Sequence, residues 1–372
     1  MRQAFPAYEG EITSLTSLRG VAALGVVMLH LNLQLGELAK GSAISSILGH
    51  GHLWVDFFFV LSGFIMCYVY RRHFEARVGW ADYSRFICLR LIRVYPVHFA
   101  TLMVFVGFEF IQLFLVSAGY LSGITVFTNQ SSVFSLVANV FLIHSWGVVD
   151  VIGWNQPSWS ISAEFFAYLV FPFLMVWLNA GRPAAMVLLS ILSIVLLLTV
   201  QLTVGSLNTS INLGVLRGLG GFVAGMIVFY HAGHVARLGA GALNFLQSIS
   251  VIGILAVMHF GVPEILVMPF FALLVFASSA DRGWVARFSR LRPVYFLGLI
   301  SYSLYMTHNI VTQVFHKRWA TFFPKLSFVF EGPWVWLLLA VETVLIIVTA
   351  YLFYALLENP SRRYLRRKLI EN

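Results

Sequence analysis

The stretch "SLRGVAALGVVMLHL", residues 17–31, decides how the fold is read. Arg19 is followed by ten apolar or glycine residues and then by a histidine, His30. A run this apolar predicts a helix inside a bilayer, where about 20 such residues cross the hydrocarbon core. The rest of the chain agrees. Of 372 residues, 59% are hydrophobic and only 10% are charged, against about 25% in soluble domains. The mean hydropathy is +0.86. Only helices and closed barrels satisfy their backbone groups in lipid. Long unbroken apolar runs do not suit barrel strands, which alternate over roughly ten residues. The expected fold is therefore all-α, a polytopic transmembrane helix bundle.

Runs long enough to cross fall near 15–36, 53–71, 92–117, 160–178, 184–204, 211–230, 245–260, 264–280, 295–315 and 334–357. A further run, 133–144, has only twelve residues, which suits a short re-entrant or interfacial helix. Loop charges test the count. Residues 71–93 carry six arginines, 281–292 carry four, and the tail "RRYLRRK" carries five basic residues, whereas 118–158 has no Lys or Arg. Basic loops stay cytoplasmic, so both termini are expected inside, which requires an even number of crossings. Ten spans with 133–144 re-entrant meet that condition, and the basic stretch "HKRWATFFPK", 316–325, is a local exception. The chain reads as one membrane domain, 1–372, with a cytoplasmic N-terminal tail over 1–14 and a basic C-terminal tail over 359–372. Its first span is expected to direct insertion, since no cleavable leader precedes it.

The net charge of +9 follows from these cytoplasmic loops, so no nucleic-acid partner is expected. With only Cys67 and Cys88, no disulfide framework is implied.

Ionisable residues within spans are costly and mark function by default. Eleven helical steps bring His30 to within about 20° of Arg19 on one face, at about 16 Å along the axis. With the first span entering from the cytoplasm, His30 falls in the outer half. Asp56 in "WVDFFFVLSGF", Glu164 in "PSWSISAEFFAYLVFP" and His308 in "SYSLYMTHNI" fall in the same layer. Two histidines and two carboxylates suggest general-base chemistry: an imidazole takes a hydroxyl proton, and a carboxylate orients the ring. Asp56 and Glu164 are equal candidates for that orienting role. A metal site is the competing use of these groups, yet no HExxH or comparable spacing occurs, and no metal is expected. Trp159, Ser160 and Ser162 flank Glu164 and are candidates to line an acceptor path. Glu109 and Glu342 read as structural partners within the bundle, Glu358 as an anchor of the last helix, and His144, in the re-entrant run, as a further candidate to stand near the site. At the inner face, Arg90 and Arg93 in "RLIRVYP" stand three residues apart, neighbours on one helix face, a geometry suited to phosphate.

Six segments in order resemble the acyltransferase-3 family of integral-membrane O-acyltransferases: "LRGVAALGVVMLH", "WVDFFFVLSGF", "RLIRVYP", "PSWSISAEFFAYLVFP", "ISYSLYMTHNI" and "LENPSRRYLRR". The resemblance implies about ten transmembrane helices and transfer of an acyl group, often acetyl, from cytoplasmic acyl-CoA to a carbohydrate hydroxyl. It implies His30 as the catalytic histidine, Arg19 as its partner, and Arg90 with Arg93 as the contacts for the CoA phosphates. The implied acceptors include exopolysaccharide, lipopolysaccharide, lipo-oligosaccharide signals and macrolide antibiotics, so the expected partners are a carbohydrate or glycolipid and membrane lipid. The implied location is the bacterial inner membrane, and the chain resembles the family's stand-alone form. The competing class is a secondary transporter, which intramembrane polar groups and glycines such as Gly220 and Gly221 also suit. No two-fold repeat in hydropathy accompanies them.

Overall fold

A computed structural model describes residues 10–35, 43–122, 125–181, 183–315 and 334–371. The stretch 316–325 and the first nine residues of the N-terminal tail lie outside these. The described residues form helices and connections only: α1 (Thr13–Leu35), α2 (Ala43–Gly49), α3 (Trp54–Tyr70), α4 (Trp80–Ser117), α5 (Val133–Val140), α6 (Trp159–Asn179) and α7 (Pro183–Val204). After these come α8 (Gly214–His231), α9 (Ala240–Phe260), α10 (Met268–Ser278), α11 (Gly283–Ser289), α12 (Arg292–Gln313), α13 (Trp334–Phe353) and α14 (Asn359–Arg366).

Among the described residues, eight helices are long and apolar enough to cross a membrane. The pair Glu264–Ser278 and Gly283–Ser289, bent by 78°, adds a ninth if taken as one span. The expectation of ten is thus not reached on length and apolar character. The crossing expected at 295–315 is helical throughout α12, but that helix has exchanged apolar residues for polar ones. Ser301, Ser303, Thr307, His308, Asn309 and Thr312 are all buried. Polar side chains in a membrane helix turn inward and find partners there, and each lowers the apolar signal by which a span is recognised. The short run at 133–144 gives a helix of eight residues, too short to cross. It forms α5, with Ser132 capping its N-terminus by accepting from the Ser135 amide at 3.2 Å. Val133, Phe134, Val137 and Phe141 are exposed along one stripe, while Ser135, Ala138 and Asn139 are buried. That division suits a helix lying at the edge of the lipid.

The chain divides into two compact units. The first comprises Met1–Tyr83, Phe166–Thr209 and Leu216–Ser301, and the second Ser84–Phe165, Ser210–Val215 and Tyr302–Asn372. In the first, α3 and α8 cross where a side chain on Gly63 would collide with the Phe222 carbonyl, and one on Gly225 with the Val60 carbonyl. Without a hydrophobic drive between helices in lipid, small residues that let backbones approach supply the packing energy. Gly20 of α1 and Gly298 in the first-unit part of α12 meet in the same way. Aromatic rings fill the rest: Phe57 and Phe271 lie edge to face at 5.6 Å, and Phe171 and Phe222 at 5.9 Å. The break between α10 and α11 is held to the start of α1, because Asp281 Oδ1 accepts from the Ser14 amide at 2.9 Å and from its hydroxyl. A carboxylate there also satisfies the positive end of the α1 dipole.

In the second unit, Leu102, Phe105 and Trp154 form a buried cluster. Glu109 accepts from the Phe127 amide at 3.2 Å and the Ser131 hydroxyl at 3.0 Å, which fixes the connection ahead of α5.

Candidate functional site

His30 lies near the end of α1, half-buried. Its Nδ1 is 2.9 Å from the Val26 carbonyl one turn earlier. A carbonyl only accepts, so Nδ1 carries the proton, and the neutral ring presents Nε2 as its basic nitrogen. Arg19 is half-buried on the same helix, among the buried Leu18, Ala22, Ala23, Val26 and Val27.

Asp56, in the same unit, is committed elsewhere. Both its oxygens face the Arg217 guanidinium: Nε donates to Oδ1 at 2.8 Å and Nη2 to Oδ2 at 2.7 Å. Arg217 also donates to the carbonyls of His52 at 2.9 Å and Thr209 at 3.2 Å. The pair is 1% and 0% exposed, and the two-pronged geometry with added carbonyl bonds is what a buried arginine needs. The sequence reading treated Asp56 as a possible orienter of His30 and passed over Arg217. The missed signal was plain: an arginine inside the run "GVLRGLGGFVAGM" requires a buried partner, and Asp56 carries the opposite charge. A second tie stands close in sequence, where His52 Nε2 is 3.0 Å from Glu264, whose other oxygen accepts from Ser206 and the Leu207 amide.

Glu164 and His308 belong to the second unit. His308 is fully buried, with Nδ1 3.3 Å from the Leu304 carbonyl, and Glu164 is half-buried. Near them in the chain stands a buried polar network. His98 Nε2 donates to the Asn139 carbonyl at 2.9 Å. Asn155 donates to Thr101 Oγ1 at 3.2 Å and to the Met306 carbonyl at 2.9 Å, and accepts from Asn309 at 3.3 Å. The rings of His98 and His144 stack 6.1 Å apart and nearly parallel.

Ser158 lies 3.1 Å from His144 Nε2, which invites comparison with a nucleophile and its base. The hydrogen bonds argue against it. The one hydroxyl proton of Ser158 goes to the Asn155 carbonyl at 2.7 Å, so His144 is the donor and takes nothing from the serine. Burial first, and the His98 charge second, push His144 down to about 3, far from a working base. This network builds structure.

The three candidate acceptor contacts divide in the same way. Ser162 accepts from the Ser145 amide at 3.0 Å and donates to the Leu142 carbonyl at 2.7 Å, so it is occupied in holding the segment after α5. Ser160 is 2.8 Å from the Tyr305 hydroxyl. Trp159 is 8% exposed and packs where Gly214 leaves room for it. Arg90 and Arg93 are half-buried on α4. The guanidinium of Arg90 lies 6.0 Å above the Phe86 ring, a cation–π contact that holds its direction. Among the described residues, no group of three or more His, Cys, Asp or Glu is gathered to hold a metal.

The family profile Acyl_transf_3, described as an acyltransferase domain, matches residues 12–355. The chain belongs to the acyltransferase-3 family. A relative is the acyltransferase MdmB of Streptomyces mycarofaciens, 32% identical over 165 residues, which is 43% of this chain. The chain spans 38% of that relative's length. No solved structure matches. The long apolar helices, together with this family, make the chain an integral membrane protein.

Proposed function

We propose that this acyltransferase-3 member moves an acyl group, acetyl being the favoured one, from cytoplasmic acyl-CoA to a hydroxyl of a carbohydrate acceptor. Exopolysaccharide, lipopolysaccharide and lipo-oligosaccharide are the acceptor types in view. The observation that carries the reading is the His30 ring, whose Nδ1–H is held by the Val26 carbonyl at 2.9 Å. In this reading Nε2 takes the acceptor's hydroxyl proton as that oxygen attacks the thioester carbonyl carbon. Collapse of the tetrahedral adduct breaks the C–S bond, and the imidazolium returns its proton to the departing thiolate. Arg90 and Arg93 are assigned to the donor's phosphates, for which a guanidinium fork is suited, and Arg19 to the same donor. Glu164 and His308 stay in the proposal as acid–base candidates, and Trp159 and Ser160 as acceptor contacts. Asp56 is assigned to the ion pair with Arg217. In this reading α12 and the bent pair also cross, which gives ten crossings with both termini in the cytoplasm of an inner-membrane protein.

The test is mass spectrometry of surface glycans from a strain lacking the gene, complemented with the wild-type or the His30→Ala form. One acyl mass should return with the wild type alone. Equal acylation by a His30→Ala protein present in the membrane at normal amount would refute the assignment.

A further inference from the structure

The C-terminal segment "LENPSRRYLRR" plays no part in the chemistry above, yet the second unit brings it to Arg90 and Arg93. Two adjacent residues of α12 make the connection. The Tyr302 hydroxyl donates to the carbonyl of Val94, the residue after Arg93. The Ser303 hydroxyl donates to Glu358 Oε2 at 2.7 Å. Glu358 in turn faces Arg362 one turn later, with Nη1 and Oε1 3.6 Å apart.

The local sequence explains this placement. Pro360 has no N–H to offer the fourth residue before it, and the helix loosens into a π-helical turn over Tyr354–Glu358. That extra residue turns Glu358 inward, where it is 3% exposed, while Arg362 keeps 41% of its side chain open. The charges of Arg93 and Arg90 both act repulsively on the Arg362 guanidinium. Three arginines therefore share one region, with Glu358 paired to Arg362. Like charges held together in this way cost energy unless an anion neutralises them.

We infer that Arg362, oriented by Glu358, is the third arm of a phosphate-ester site formed with Arg90 and Arg93, and that its ligand is the phosphorylated end of the CoA donor. The inference rests on the proposed donor site and extends it to a separate helix. Arg362 is a binding residue in this account, and Glu358 a positioning one. Phosphate esters also occur on anionic lipid headgroups, so the test must separate the two sources.

Purified full-length protein in neutral phosphatidylcholine nanodiscs is titrated calorimetrically with CoA. The variants are Arg362→Gln, Arg362→Lys, Arg363→Gln and the double Arg90→Gln/Arg93→Gln. A charge-assisted bond to phosphate should make Arg362→Gln weaken CoA binding by about tenfold or more. Arg362→Lys should recover part of that loss, because the charge remains and the fork does not. Arg363→Gln, at an exposed neighbour, should bind within about twofold of wild type by the same scale. Monodisperse gel filtration of each variant shows that it is folded. If the double variant loses CoA and Arg362→Gln binds normally, the third arm is refuted and the donor site stands. If the double variant binds as wild type does, the donor-site reading itself fails. If Arg362→Gln keeps CoA binding but loses retention of phosphatidylglycerol by native mass spectrometry, the ligand is lipid and the inference is overturned.

Discussion

The ion pair between Asp56 and Arg217 offers the sharpest perturbation of the scaffold. Both groups are essentially without exposure, and four donor–acceptor contacts hold the arginine. Removing one partner leaves the other charge buried and unpaired, at a cost of about 3–5 kcal/mol. With an unfolding entropy of about 2.1 cal/mol/K per residue, 372 residues convert that cost into a fall in Tm of roughly 4–6 °C. Asp56→Asn and Arg217→Met should each show it in a thermal-shift assay in detergent. The double variant Asp56→Leu/Arg217→Met should recover most of the loss, because apolar replacement of a buried pair is often neutral. It should also keep acyl transfer, since Asp56 is assigned no chemistry. Singles as stable as wild type, or a double as unstable as the singles, would refute the energetic reasoning. A stable double variant without activity would return Asp56 to the chemistry.

Other perturbations follow from the same geometry. Gly225→Leu would drive a side chain into the Val60 carbonyl, so α3 and α8 must separate; the expected result is loss of folded protein on gel filtration. His144, between α5 and α6, gives a pH signature. An unfolded histidine takes up a proton near pH 6.5, whereas the folded one resists until about 3. Between those values the unfolded state binds more protons, so stability should fall as pH drops through that window, and His144→Gln should flatten the slope of Tm against pH. Ser303→Ala frees Glu358 on one side, and the expected effect is a raised KM for the acyl-CoA donor with kcat little changed, read from initial rates.

The membrane class was legible because composition decides it: spans of some twenty apolar residues leave no other solution for the backbone. That 133–144 would form only a short helix was legible from its length. α12 was harder to classify, since its buried Ser303, His308 and Asn309 lower the apolar signal while serving the interior. His30 could be singled out as an imidazole inside a span, whereas its contact with the Val26 carbonyl depends on the ring's orientation, which only the structure shows. The partner of Asp56 was not legible, because intramembrane carboxylates look alike until the partner is seen, and Arg217 stands 161 residues away in the chain. The partners of Ser162 were hidden for a similar reason: its bond to the Leu142 carbonyl spans a loop whose path no periodicity specifies. The link from Tyr302 and Ser303 to both Val94 and Glu358 joins three distant segments, and pairing of that kind is set by packing rather than by local pattern.

The central claim is that His30 supplies the base for acyl transfer. Its most direct measurement is the rate at which purified protein in proteoliposomes moves label from radioactive acetyl-CoA onto extracted envelope glycan, compared with His30→Ala of equal fold and amount. Loss of a general base predicts a rate lower by about 10²–10⁴-fold, with CoA binding retained. Transfer by His30→Ala at the wild-type rate would contradict the account.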